Sequence, residues 1–227
     1  MAEQLSFELP LRPAFGRADF MISPGNSVAV SMLERWPDWP NARHALVGPK
    51  GAGKTHLAHV WAALSGAQVV PARALEEAEV PRLVQAPLVV EDVPDIRGDR
   101  PRQTTLFHLV NLSAAEANPL LLTGVEQPGR WTLDLPDLAS RMAALPVAVL
   151  GPPDDALLQA VLAKLFADRQ LRPHADVIPY LASHMDRSFE AAGQIVAALD
   201  TAALRQRRQI TRPLAREVLA ARIPAPE

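Results

Sequence analysis

Residues 48–55 read Gly48-Pro49-Lys50-Gly51-Ala52-Gly53-Lys54-Thr55, a run that gathers glycines, a lysine and a hydroxyl on one short loop. Glycines let backbone N–H groups wrap an anion, and a helix that begins there adds its positive end. The spacing is that of a P-loop, in which Lys54 reaches the β- and γ-phosphates of ADP or ATP and the Thr55 hydroxyl binds Mg²⁺. The cradle would run from Gly48 through Pro49, Lys50, Gly51, Ala52, Gly53, Lys54 and Thr55 to His56. Such a motif needs a strand before it and a helix after it. His44-Ala45-Leu46-Val47 is a short apolar run of the kind a buried strand makes, and residues 55–64 read as a helix.

A nucleotide site of this kind also needs a carboxylate at the end of a neighbouring strand. Leu88-Val89-Val90-Glu91-Asp92 supplies two. Glu91 falls where a metal-binding acid stands, and Asp92 where a water-orienting acid stands. Glu is one methylene longer than the usual Asp, which alters metal reach in a site needing tight geometry. Either acid also fits the plainer role of ending a strand.

These residues imply a scaffold. Gln68-Val69-Val70, Pro87 to Val90, Leu120 to Thr123 and Val147 to Leu150 read as further strands, with helices expected over 26–36, 74–83 and 102–117. Strands alternating with helices, and apolar throughout, predict an α/β fold whose parallel sheet is covered on both faces. After Gly151-Pro152-Pro153 no strand candidate remains. Helices are expected over 156–171, 177–185 and 188–205, then one capped by Thr211 and running to Arg222. The expected organisation is an extended arm over 1–16, an α/β domain over 17–151 and a small all-α domain over 152–227. The 22 prolines, mostly between apolar segments, favour many short elements.

Composition removes other classes. With no cysteine there is no disulfide, thiolate nucleophile or zinc–thiolate centre. A net charge of −2 disfavours a globally basic nucleic-acid binder. The cluster Arg205, Arg207, Arg208 and Arg212 sits where cations suit a helix end. No apolar run is long enough for a membrane span, and Met1-Ala2-Glu3-Gln4 does not open a signal peptide, so a cytoplasmic setting is expected.

The order of motifs carries a resemblance. After the P-loop come Gln103-Thr104-Thr105-Leu106-Phe107-His108-Leu109-Val110-Asn111, then Leu120-Leu121-Leu122-Thr123-Gly124, then Leu135-Pro136-Asp137-Leu138-Ala139-Ser140-Arg141. Together they resemble the DnaA/Hda family of AAA+ replication proteins over nearly the whole chain, and the last stretch is closer to its short Hda branch than to DnaA itself. The resemblance implies a AAA+ P-loop domain followed by a helical lid. It makes Arg141 an arginine finger, a cation offered to a neighbour's nucleotide, whereas spacing alone favours a surface Arg141 paired with Asp137. It likens Gln4, Leu5, Phe7 and Leu9 to a short peptide that docks on the DNA polymerase sliding clamp, an extended arm being suited to ordering on contact.

Two positions depart from the family pattern. Val125 stands where a polar residue senses phosphate, and Glu190 where the lid offers an arginine, with Arg187 three residues earlier. Both changes, with Glu91, weaken the case for hydrolysis of the chain's own nucleotide while leaving phosphate cradling intact. The implied role is a regulator that binds nucleotide and clamp and promotes hydrolysis of DnaA-bound ATP, with DnaA, the clamp and a homo-oligomer as partners and without strong nucleic-acid or membrane binding. The alternative is a DnaA-like initiator or accessory ATPase hydrolysing its own ATP. The end of the chain at residue 227 leaves no room for further DNA-binding helices and weakens the initiator reading. A self-contained P-loop kinase is weakened by Val125, Glu190 and the lack of a substrate-sized insertion.

Overall fold

The computed structural model describes residues 21–221, which fall into two compact units with a boundary between Gly151 and Pro152. The first holds five strands: β1 (Arg43–Val47), β2 (Gln68–Pro71), β3 (Leu88–Glu91), β4 (Leu120–Gly124) and β5 (Val147–Val149). All pair in parallel, in the order β2-β3-β4-β1-β5. Strand β1, between β4 and β5, aligns Arg43 with Leu120 and Val47 with Gly124 on β4, so the carboxyl ends of β1 and β4 are level.

Two helices, α1 (Ser27–Glu34) and α2 (Lys54–Ser65), bury Ala29, Val30 and Leu33 and Leu57, Ala58, Val60 and Trp61 respectively. The other sheet face carries α3 (Val80–Leu83), α4 (Arg100–Ala115) and α5 (Pro136–Ala143). There Ala45, Val47, Leu88, Val90, Leu120 and Leu122 pack with Leu83, Leu106, Leu109, Leu138 and Met142 in one cluster. Each such side chain contributes about 1.5–3 kcal/mol on burial. The chain leaves β1 toward α2 on one face and leaves β4 toward α5 on the other. The carboxyl ends of these adjacent strands therefore frame the crevice where open parallel sheets bind ligands.

The expected helix over 74–83 is broken. Turns at Ala72–Ala74 and Glu77–Glu79 flank extended Leu75 and Glu76, and only Val80–Leu83 forms an α-turn. Pro81 has no N–H to donate to residue 77, so a helix can start there but not pass through. Conversely, the stretch over 135–141, to which no element is assigned above, folds as α5 with Pro136 at its first position.

The second unit comprises α6 (Asp155–Asp168), α7 (Val177–His184), α8 (Phe189–Gln206) and α9 (Arg212–Ala220) around Leu158, Leu162, Phe166, Leu181, Ile195, Leu199 and Leu214. Asp154 and Ser188 cap α6 and α8 through the amides of Leu157 and Ala191. Thr211 occupies the cap position of α9, yet its side chain makes no capping bond, against expectation. Pro213 near the start of α9 supplies a preset φ instead. Arg222, expected as the end of this helix, and the arm residues Gln4, Leu5, Phe7 and Leu9 lie outside the described residues.

Candidate nucleotide site and the Arg141 helix

The loop between β1 and α2 is shaped by contacts that admit only glycine at its base. A Cβ on Gly48 would lie 2.2 Å from the Leu150 carbonyl oxygen, because the loop passes directly over the end of β5. The Gly48 N–H donates to the Gly124 carbonyl at 3.3 Å, tying the loop to the end of β4. Gly53 caps α2 with φ of 95°, a left-handed conformation that L side chains rarely take. No side chain caps α2, and the positive end of this helix faces the loop.

Lys54 is buried, and its Nζ donates to the carbonyls of Gly48 at 2.8 Å and Pro49 at 3.0 Å. Burial pulls its ammonium below the usual lysine range; the Asp92 carboxylate works the other way, and Lys50 adds to the lowering. Asp92 thus lies within electrostatic reach of Lys54. The Asp92 backbone is left-handed, with φ and ψ both 53°, which Asp tolerates better than most residues. Its N–H donates to Thr123 Oγ1 at 2.9 Å, and Thr123 is buried at the end of β4.

Glu91 behaves differently. Its Oε1 is buried without a hydrogen-bond partner, while Oε2 lies 3.8 Å from His59 Nε2, too far for a hydrogen bond. A buried carboxylate oxygen lacking a donor is costly unless a cation completes it. That orphaned oxygen fits the chemistry of Mg²⁺, which Glu91 and the exposed Thr55 would hold together with nucleotide phosphates. Among the described residues no three His, Asp or Glu side chains gather into an all-protein metal site.

The remaining candidate residues belong to both units. Val125 is 40% exposed just beyond β4. In the helical unit Glu190 Oε1 accepts from Gln194 at 3.1 Å, and Arg187 pairs with Asp155 at 2.6 Å. Arg208 lies 3.8 Å from Glu217, and Arg212 stands over the Tyr180 ring at 4.9 Å, so part of the basic cluster is occupied locally.

Arg141 lies near the end of α5 and is exposed. It forms no ion pair with Asp137; its guanidinium lies 5.3 Å from the centre of the Phe107 ring on α4. Arg43 at the start of β1 is held below the usual arginine range, first by burial and then by Arg141, so a second cation stands in its surroundings.

Two residues gain a role that the sequence alone does not assign. Thr123 couples the ends of β3 and β4, and a threonine closing an apolar strand is its only signal. Gln103 is fully buried on α4: its Nε2 donates to Ile96 O at 3.0 Å and Asp134 Oδ2 at 2.8 Å, and its Oε1 accepts from Asp134 N at 2.7 Å and Leu135 N at 3.3 Å. A polar residue on an otherwise apolar helix face is visible in the sequence, but its partners more than thirty residues away are not.

A parallel sheet in this order, a glycine loop at the crevice between β1 and β4, and a helical unit following in the chain make up a AAA+ fold. The structure is similar to domain III of DnaA from Thermotoga maritima, with a TM-score of 0.77, 19% identity, and coverage of 95% of this chain and 99% of that one. It is also similar to DnaA bound to AMPPCP and single-stranded DNA (TM-score 0.68, 17% identity, 87% of this chain and 69% of that one). AMPPCP-bound DnaA from Aquifex aeolicus gives a TM-score of 0.66 at 17% identity, over 84% of this chain and 66% of that one. More particularly, residues 155–219 match the family model of the Hda lid domain. The chain thus has the AAA+ fold of DnaA domain III and a helical unit of the Hda-lid kind.

Proposed function

We propose that this chain regulates replication initiation by binding ADP or ATP with Mg²⁺, docking on the sliding clamp through Gln4, Leu5, Phe7 and Leu9, and offering Arg141 to ATP-bound DnaA. Residues 48–56, with Lys54 at their centre, would hold the nucleotide's phosphates. Bound there, the nucleotide supplies the charge that fixes the loop, and Thr55 and Glu91 would hold its metal. The chemistry of interest lies on the partner. As the γ-phosphoryl group of DnaA's ATP departs, charge spreads over its oxygens, and a planar guanidinium neutralises it without covalent chemistry. The observation that carries the proposal is Arg141: exposed, without a carboxylate partner among the described residues, and resting on an aromatic ring, in a chain whose residues 155–219 match the Hda lid.

A second reading is that the chain hydrolyses its own ATP. Asp92, beside Lys54 and held by Thr123, favours it; Glu91, one methylene longer than Asp, apolar Val125 and acidic Glu190 oppose it.

The test is a reconstituted mixture of DnaA–ATP, clamp-loaded DNA and this protein. Wild type should accelerate loss of DnaA's ATP, and deletion of residues 1–12 should remove both clamp affinity and acceleration. Burial of Phe7 and Leu9 is worth about 1.5–3 kcal/mol each, so Phe7→Ala should deepen the defect of Gln4→Ala with Leu5→Ala. Clamp affinity unchanged by the deletion would remove the docking step from the proposal.

A further inference from the structure

The helix that carries Arg141 begins without a polar cap. Its cap position is Leu135, whose side chain bonds nothing, and Pro136 follows. Ser, Thr, Asp or Asn normally satisfies the open amides at a helix start. No side chain does so here; instead the amide oxygen of Gln103, from α4, accepts from the N–H groups of Asp134 and Leu135, the two residues that lead into α5, while its NH₂ group donates to the Asp134 carboxylate and Ile96 O. All four bonds come from a side chain with no solvent exposure. One turn further along α4, Phe107 lies beneath the Arg141 guanidinium. Residues four apart on a helix share a face. The helix α4 therefore holds α5 near both ends, by a hydrogen-bonded clamp at its start and an aromatic seat under Arg141.

We infer that Gln103 is a positioning residue that fixes the register of α5 on α4 and so sets where Arg141 is presented to the partner's nucleotide. This rests on Arg141 acting in trans. Gln103 touches no nucleotide in this account and acts only through the helix it anchors. A misplacement near 1 Å costs an oriented reaction about a hundredfold, so a slipped or frayed α5 would weaken catalysis on the partner without weakening association.

The experiment measures acceleration of DnaA-bound ATP hydrolysis against concentration of the full-length protein on clamp-loaded DNA. Gln103→Leu should lower the maximal rate about ten- to a hundredfold while the half-saturating concentration stays near wild type. Hydrogen exchange should quicken over residues 134–143 and stay unchanged over the distant α9. The conservative variant is Asp134→Asn. Its side-chain amide oxygen still accepts from the Gln103 NH₂ group, so all four bonds of Gln103 are kept. This variant should fold, keep slow exchange in α5 and keep most of the rate, whereas Gln103→Glu sets carboxylate oxygens against Asp134 and the Ile96 carbonyl and should not. Full stimulation by Gln103→Leu overturns the inference, as does an Asp134→Asn protein that keeps slow exchange in α5 yet fails to stimulate. Arg141→Ala, run alongside, separates the two claims. If it still stimulates fully, the trans reading fails; if it alone is inactive while Gln103→Leu is normal, only the positioning role falls.

Discussion

The two cationic sites of the α/β unit are built in opposite ways. At the P-loop, Lys54 is buried and bonded to carbonyls of its own loop, and glycines bring the backbone against Leu150. At the end of α5, Arg141 is exposed, rests on Phe107 and has no carboxylate partner among the described residues. On the proposed reading, the first site is organised around something the chain would keep, the second around something it would meet. That reading also expects cradling without efficient turnover, from the longer Glu91 and the apolar Val125 beside an intact Lys54 loop.

The contrast is broken most severely at Arg141. Arg141→Ala should lower stimulation of DnaA-bound ATP hydrolysis by about 10³ or more, with nucleotide affinity and thermal stability near wild type. Arg141→Lys keeps the charge but loses the planar fork and should recover little. An arginine that merely decorated the surface would cost about 0–1 kcal/mol of stability and leave stimulation intact.

At the other site, Gly48→Ala drives a methyl group into a backbone carbonyl that cannot rotate away. It should destabilise by about 3 kcal/mol, the upper part of the usual overpacking range, lowering the melting temperature by roughly 6–12 °C. Little change in melting would mean that the loop stands off from Leu150. Lys54→Ala should weaken ADP binding about a hundredfold, or about 2.7 kcal/mol, from a wild-type Kd of order 1 µM, by isothermal titration. Equal affinity would remove the phosphate site.

The smallest effect sharpens the comparison by probing a buried group that neither site uses. His44 on β1 stacks on Trp39 at 5.0 Å, and both ring nitrogens are buried without partners. Burial holds its imidazole below the usual histidine range. The unfolded chain therefore binds its proton first, so stability present above the ordinary value near 6.5 should decline as pH falls through and below it. His44→Phe keeps the stacking and should flatten melting temperature between pH 7.5 and pH 5 relative to wild type. An unchanged slope would assign the acid sensitivity elsewhere.

Much of the fold is legible in the amino-acid order alone. The strands, the covered parallel sheet and the P-loop follow from apolar runs punctuated by proline and glycine, which are local signals. The broken segment ahead of α3 defeats that kind of reading, because the apolar spacing of Leu75, Val80 and Leu83 fits a helix while Pro81 forbids one. The Gln103 clamp is illegible for another reason: its partners at Asp134 and Leu135 are brought near only by the sheet. Likewise, spacing on one helix cannot choose between Asp137 and another neighbour for Arg141, since the neighbour, Phe107, belongs to α4.

The central claim is that ATP is held on this chain and hydrolysed on its partner. The most direct measurement loads γ-labelled ATP onto one protein at a time, either this chain or DnaA, and follows phosphate release after mixing on clamp-loaded DNA. The account predicts rapid release when DnaA carries the label, and slow release, far below roughly 1 s⁻¹, when this chain carries it. Rapid release from this chain, with DnaA's label retained, would contradict it.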